Sequence, residues 1–439
     1  MSLVTATAFQ QSPAVQTRSF VALSALAISD VDDDFLYQIL VAFKSALTKA
    51  NESNTMAIVS MLRCMCKIVP AIVEQSRYVS VLFWLAVALL QASHLGFFIE
   101  ATWLLRITLE NMEQQGLFKN NSVQAVLLEA REPLEEVTSQ LDEMLRISFE
   151  TSFSFSLSSI IFKGLRHTVL KGPAEAALRS LLRVTSRAHS ENSGTYNGFK
   201  DSPCPEALGY FLALLPVSTT PKSYGRLLSE CSVDDSWVSN GSSDSEEEEL
   251  GIPRVTDVVL GVHDANTALL VASFAGTILA TAQGDDAETQ MLYGLLSSLA
   301  NSYPEIISVT YVSMSLTIVI LQSFLISIFR RYDTMQDRIK DTFANSSNAY
   351  IIRSVSNIFR VALQDPTRSS TTSTHHASTS TLSTVDENSI GPGRSHLNAL
   401  DELAMQGLAN NLTFLPPNRG HATKIINWIP TLVSLMISS

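Results

Sequence analysis

Cysteines, histidines and clustered acids are the side chains through which this chain could do chemistry, and their spacing decides which chemistry is open to them. The cysteines are Cys64, Cys66, Cys204 and Cys231. Cys64 and Cys66 form a C-x-C inside an apolar helical pattern. No His/Cys pair stands at ligand spacing to complete a zinc site, so both read as small buried hydrophobes. His94, His167 and His189 are separated by helical segments and have no carboxylate or cysteine partner nearby, which suits surface or helix-end positions. His375 and His376 sit in a polar tract and could hold a metal only weakly. Asp32, Asp33 and Asp34 come just before a helix, and Glu135 and Glu136 fall in a first helical turn; capping and the helix dipole account for both groups. The chain has no G-x-S-x-G, no G-x-x-x-x-G-K-[ST] and no H-E-x-x-H. The expectation is a protein with no enzymatic activity of its own, no catalytic or metal-binding residues and no cofactor.

Composition narrows the partners. Of 439 residues, 46% are hydrophobic and only 16% charged, with a net charge of -12. The acids between Asp234 and Glu249 carry much of that charge, and no Lys or Arg falls among them. A nucleic-acid face would need clustered Lys and Arg, which are absent, so no nucleic-acid partner and no small-molecule substrate are expected. The N-terminal MSLVTATAFQQSPAVQTRSF has no basic region followed by an apolar run, so it does not read as a signal peptide. The sequons at Asn345 and Asn411 therefore read as incidental.

The elements that must carry these residues read as helices. In DFLYQILVAFKSALTKA, Leu36, Ile39, Leu40, Phe43 and Leu47 form one apolar stripe. TMAIVSMLRCMCKIV stops at Pro70. Val81 to Leu90 is apolar on every side but too short to span a bilayer, so it predicts a helix buried all round. LGFFIEATWLLRITLENMEQQG ends at Gly116, a natural C-cap. PLEEVTSQLDEMLRI begins with Pro133 near N1 and carries the stripe Leu134, Val137, Leu141 and Leu145. In FETSFSFSLSSIIFKGLRH, Phe149, Phe153, Phe155 and Leu157 alternate at period two. With no second strand to pair with, this segment predicts a short loop entering a helix from Leu157 to Leu165, its aromatic rings plugging a groove between helices. PAEAALRSLLRVTSRAH supplies a further helix.

The resulting fold class is all-α, a HEAT/armadillo-like α-solenoid with two disordered polar linkers, although no repeat period near 40 residues is clean. Residues 17–217 form an N-terminal helical-repeat block and 218–251 an acidic flexible linker. Residues 252–364 form a second helical block, 365–396 a Ser/Thr-rich disordered linker and 397–439 a C-terminal helical segment. Ser243 and Ser245 lie just ahead of an acid run, where an acid-directed kinase could phosphorylate them.

Several motifs together carry a family likeness. FWLAVALLQ, then REPLEEVTSQLDEMLRISFETSFSFSLSSIIFKGLRH, resembles the C-terminal helical-repeat region of neurofibromin, the large Ras GTPase-activating protein. The order is an F-W-x-A-V-A-x-L-Q helix, an R-x-P-L-E turn, an aromatic F-x-F segment and K-G-x-R-H. The likeness extends back to SPAVQTRSFVAL, and the tail ANNLTFLPPNRGHATKIINWIP is similar to fungal members. The resemblance implies that the aromatic segment Phe149 to Leu157 is part of the family pattern and not evidence of a sheet. It implies a non-catalytic arm of the larger assembly, because the family's F-L-R-x-x-x-x-P-A segment is not matched. The nearest run, IFRVALQDP, lacks the Leu-Arg pair, and no catalytic role passes to Arg360. By the same resemblance the partners are a second copy or the rest of a neurofibromin-like assembly, with Ras-pathway proteins reached indirectly. The location it implies is cytoplasmic, with a place peripheral to membranes as the alternative. The chain then reads as the C-terminal portion of a longer protein.

One stretch fits neither block. Between Glu305 and Arg330 there is no charged residue, enough for one bilayer-spanning helix. Eight Ser, Thr and Gln residues dilute its apolar content, and transmembrane insertion is not expected. Thr310-Tyr311 is followed 21 residues on by Arg331-Tyr332, and removing 21 codons, from the last base of the Thr310 codon through the second base of the Arg331 codon, gives the uninterrupted VTYDTMQDRIKDTF. Residues 311–331 thus read first as a translated intron, with a real buried or protruding helix and a membrane span as alternatives.

Overall fold

The computed structural model describes residues 7–9, 12–26, 31–49, 55–145 (except 75 and 93), 147–193, 204–231, 262, 264–281, 286–303, 353, 357 and 419–438. Among these the regular structure is helical, with one isolated parallel bridge between Val31 and Ile72 and no strand.

The first helices start and stop where local chemistry dictates. α1 (Pro13–Leu26) has proline at its first position, where the missing N–H costs nothing. α2 (Asp33–Thr48) is capped by Asp32, whose carboxylate accepts the Phe35 N–H at 2.8 Å. α3 (Thr55–Ile68) passes into a 3₁₀ turn, Val69–Ala71, because Pro70 cannot continue the hydrogen-bond ladder. α4 (Tyr78–Leu90) is buried along nearly its whole length, as its uniformly apolar sequence requires. α5 (Leu95–Gln114) ends in a Schellman motif. Gly116 takes φ +74°, the Gly116 N–H bonds the Glu113 carbonyl and the Leu117 N–H bonds the Met112 carbonyl.

α6 (Val123–Glu129), a 3₁₀ turn at Glu132–Leu134 and α7 (Glu135–Leu145) follow. Pro133 therefore lies in the turn before the helix, two residues ahead of its first position. Next come α8 (Phe149–Leu165), α9 (Lys171–Ser193) and α10 (Leu208–Leu214), the last flanked by 3₁₀ turns. α11 (Pro221–Cys231), α12 (Ala265–Thr281), α13 (Asp286–Ser302) and α14 (Arg419–Ser438) complete the described helices.

Packing runs from one helix to the next around one contiguous apolar core. α1 packs on α3, α3 on α5, and α4 pairs with α5. α5 packs on α9, which also touches α8, α10 and α11. α10 leads to α12, and α12 pairs with α13. The exception is α14, which packs against α2, α4 and α7. Glycine permits the closest approach: a Cβ on Gly209 of α10 would lie 2.4 Å from the Ser154 carbonyl carbon of α8.

Two expectations need correction. Phe149 to Leu157 is not a loop, since α8 runs through it from Phe149. The period-two pattern arises because α8 is buried on every side, so phenylalanine and serine both face protein. Two of the serines are satisfied internally: Ser152 leaves helical geometry (φ -143°, ψ 47°), and the hydroxyls of Ser152 and Ser156 both donate to the Ser148 carbonyl, at 2.9 and 2.8 Å. The second correction concerns the acidic linker 218–251. Its first part is α11, a helix whose Tyr224 and Leu227 are buried against the core. Residues 311–331 and 365–396 lie outside the described residues.

Candidate functional site

The residues with chemical potential are used structurally wherever the structure describes them. Cys64 and Cys66 are buried, and burial pushes the Cys64 thiol up to about 12 and Cys66 higher still, which leaves both protonated and unreactive. Cys66 Sγ donates to the Glu100 carbonyl at 3.4 Å. His94 caps α5: its Nδ1 accepts the Phe97 N–H at 3.3 Å, its ring lies 4.4 Å from the Phe97 ring, and burial lowers its pKa. An accepting Nδ1 requires that nitrogen to be unprotonated. His167 Nδ1 accepts from the Val169 N–H at 3.3 Å, and His189 stands 4.0 Å from Glu206. Among the described residues no three His, Cys, Asp or Glu side chains are grouped to hold a metal ion. Ser243, Ser245, Arg360, His375 and His376 lie outside the described residues.

The motif residues converge on a packed knot. Trp84 of α4 donates its indole N–H to the Leu127 carbonyl at 2.7 Å. Its ring meets Phe149 and Phe153 of α8 edge-on, with centroids 5.1 and 6.2 Å apart. The guanidinium of Arg131 lies 4.7 Å from the Trp84 ring centre and 4.8 Å from that of Phe149. Its Nη2 bonds Asp142 at 2.6 Å. Burial raises the Asp142 carboxyl to about 6, against the pull of Arg131.

The K-G-x-R-H run closes a second joint. A Cβ on Gly164 would meet the Phe98 ring at 2.7 Å and Ala174 Cβ at 2.8 Å, so glycine lets α5, α8 and α9 approach. Lys163 is nearly buried, with Nζ 5.7 Å from the Phe98 ring centre, and burial lowers its pKa to about 7. Arg166 grips Glu288 of α13 through both ends of its guanidinium, at 3.0 and 2.5 Å, and so ties α8 to the later helices.

The feature that best fits a binding surface was not singled out from the sequence. α5, α9 and α11 enclose an open groove of about 380 Å³ lined mainly by arginine and glutamate. Arg179 at its centre bonds Glu175 at 2.9 Å and Glu230 at 2.7 Å. Burial opposes its charge, but these two carboxylates outweigh that and raise its pKa. Ser180 donates to Glu110 at 3.1 Å, and Arg187 pairs with Glu113 at 2.8 Å. The signal was present as Arg179, Arg183 and Arg187, which stand four residues apart on one face of α9. Fixed ion pairs of this kind hold helices together and present charge.

No family model matches the chain. Among solved structures it is similar to the crystal structure of an engineered protein, at 12% identity over 82% of this chain and 87% of that one, with a TM-score of 0.24. So distant a likeness says nothing about function. Among the described residues no helix is long and apolar enough to cross a membrane.

Proposed function

We propose that this chain is a non-catalytic α-solenoid scaffold, comparable to the C-terminal arm of a neurofibromin-like Ras GTPase-activating protein. Its role is negative regulation of Ras signalling through self-association or docking to the rest of such an assembly. The observation that carries this reading is where the family-like motifs fall. Trp84, Arg131 and Phe149 meet in one knot, Gly164 seats α8 between α5 and α9, and Arg166 joins α8 to α13. Each is used to join one helix to another, as a stacked architecture demands. The groove between α5, α9 and α11 adds a charged face on which a partner could register.

Two measurements test the proposal. Light scattering of the full chain at micromolar concentration is expected to show a dimer or larger species; a strict monomer that also fails to bind a neurofibromin-like catalytic region counts against the scaffold role. Single-turnover GTP hydrolysis on Ras, with and without equimolar chain, is expected to be unchanged. An arginine finger supplies about 10³ to 10⁵ in rate, so even a hundredfold acceleration would overturn the non-catalytic reading.

A further inference from the structure

α14 is separated from α13 by residues 303–418, yet it packs on the N-terminal part of the chain. It lies against α2, α4, α7 and the Glu132–Leu134 turn. Among its described side chains, those of residues 428–438, the buried ones are Ile429, Leu432, Val433 and Met436, while Thr431 and Ser438 stay exposed. That spacing of i, i+3, i+4 and i+7 is the pattern by which an amphipathic helix lies in a hydrophobic groove.

The receiving surface depends on this helix. α2 buries Leu36, Ile39, Leu40 and Phe43 completely, and its most extensive helical partner is α14, ahead of α3, its neighbour in the chain. α4 is apolar all round and packs against α5, α8 and α14. Pro430 lies inside α14, where it removes a backbone donor and disfavours the helix away from its groove. A helix weak by itself, attached through a long connection and seated by four apolar anchors, has the character of a ligand more than of a core layer.

We propose that the α2–α4–α7 face is a helix-binding groove whose resident occupant is α14, and that α14 docks and releases as one unit. Released, the groove takes an amphipathic helix with apolar residues at i, i+3, i+4 and i+7. This goes beyond the scaffold role and stands apart from it, since neither oligomeric state nor Ras turnover enters the argument.

Hydrogen exchange on the full wild-type chain tests the unit of release. The amides of α14 are expected to exchange at least about tenfold faster than those of α5, together and with α5 protection intact. A labelled synthetic peptide of residues 419–438 tests the groove. A tether holds its helix at an effective concentration on the order of millimolar, so a peptide binding at roughly 10 µM faces about a hundredfold competition in the wild type. The Leu432→Asp chain, its own α14 undocked, should bind the peptide tighter by about that factor. Exchange of α14 and α5 at one common rate overturns the proposal. So does equal peptide binding, or none, by a folded Leu432→Asp chain and the wild type. The exchange experiment needs no variant and decides the matter if that substitution unfolds the chain.

Discussion

Gly209 and Gly225 are both helical glycines, and replacing each by alanine should move stability in opposite directions. In α11, a Cβ on Gly225 meets nothing within 4 Å. There the usual propensity gain applies, about 0.5–1 kcal/mol in favour of alanine. In α10, the same methyl on Gly209 would sit 2.4 Å from Ser154 C, 2.5 Å from Phe155 N and 2.6 Å from Ser154 O. Carbon contacts are most favourable near 3.5–4.0 Å, so the two helices must part by about 1 Å. The obstacle is backbone, and α10 is buried from Leu208 to Leu214, so no flexible side chain can yield. Overpacking costs about 1–3 kcal/mol, and a backbone obstacle belongs at the upper end of that range. Subtracting the propensity gain leaves Gly209→Ala destabilised by roughly 2 kcal/mol. The assay is urea unfolding followed by far-UV circular dichroism. The midpoint is expected to fall by roughly half a molar for Gly209→Ala and to rise slightly for Gly225→Ala. Shifts of the same sign in both variants would refute the close approach of α8 and α10.

Two further outcomes follow from the ion pairs. Arg166→Ala removes the guanidinium that pairs with Glu288, whose side chain is 4% exposed, and should cost about 3–5 kcal/mol. Hydrogen exchange in α12 and α13 should accelerate while α5 stays protected, and unchanged exchange there would show that Arg166 does not couple the two regions. Asp142 has its folded pKa raised to about 6 by burial, above the ordinary value near 3.8, so folding favours its protonated form. Its stabilising contribution is full below about pH 4 and is lost as pH rises through about 6, by an amount on the order of 2–3 kcal/mol. Asp142→Asn should flatten that part of the stability profile, and parallel profiles for wild type and variant between pH 4 and 7 would contradict it.

Helix positions were legible in the sequence wherever local chemistry decides them. Asp32 as a cap, Pro70 as a stop and Gly116 as the end of α5 each act on backbone groups within a few residues, and the structure uses all three so. The all-round burial of α4 was also legible, because a helix with no polar face has nowhere else to go. The start of α8 was misread as a loop because alternating phenylalanine and serine shows no helical stripe until one knows that the Ser152 and Ser156 hydroxyls return to the Ser148 carbonyl. That satisfaction matters only once neighbouring helices have removed water from every side. α11 was hidden in a polar stretch because its burial rests on Tyr224 and Leu227 meeting a core built by distant segments. Long-range pairing had no local signal at all. Nothing within α2 says that its apolar stripe is covered chiefly by a helix beginning at Arg419, and nothing within α8 says that Arg166 will find Glu288. Sequence periodicity records that a face must be buried; which face covers it is settled by the whole chain, because apolar burial rewards any complementary surface and only tertiary packing selects one.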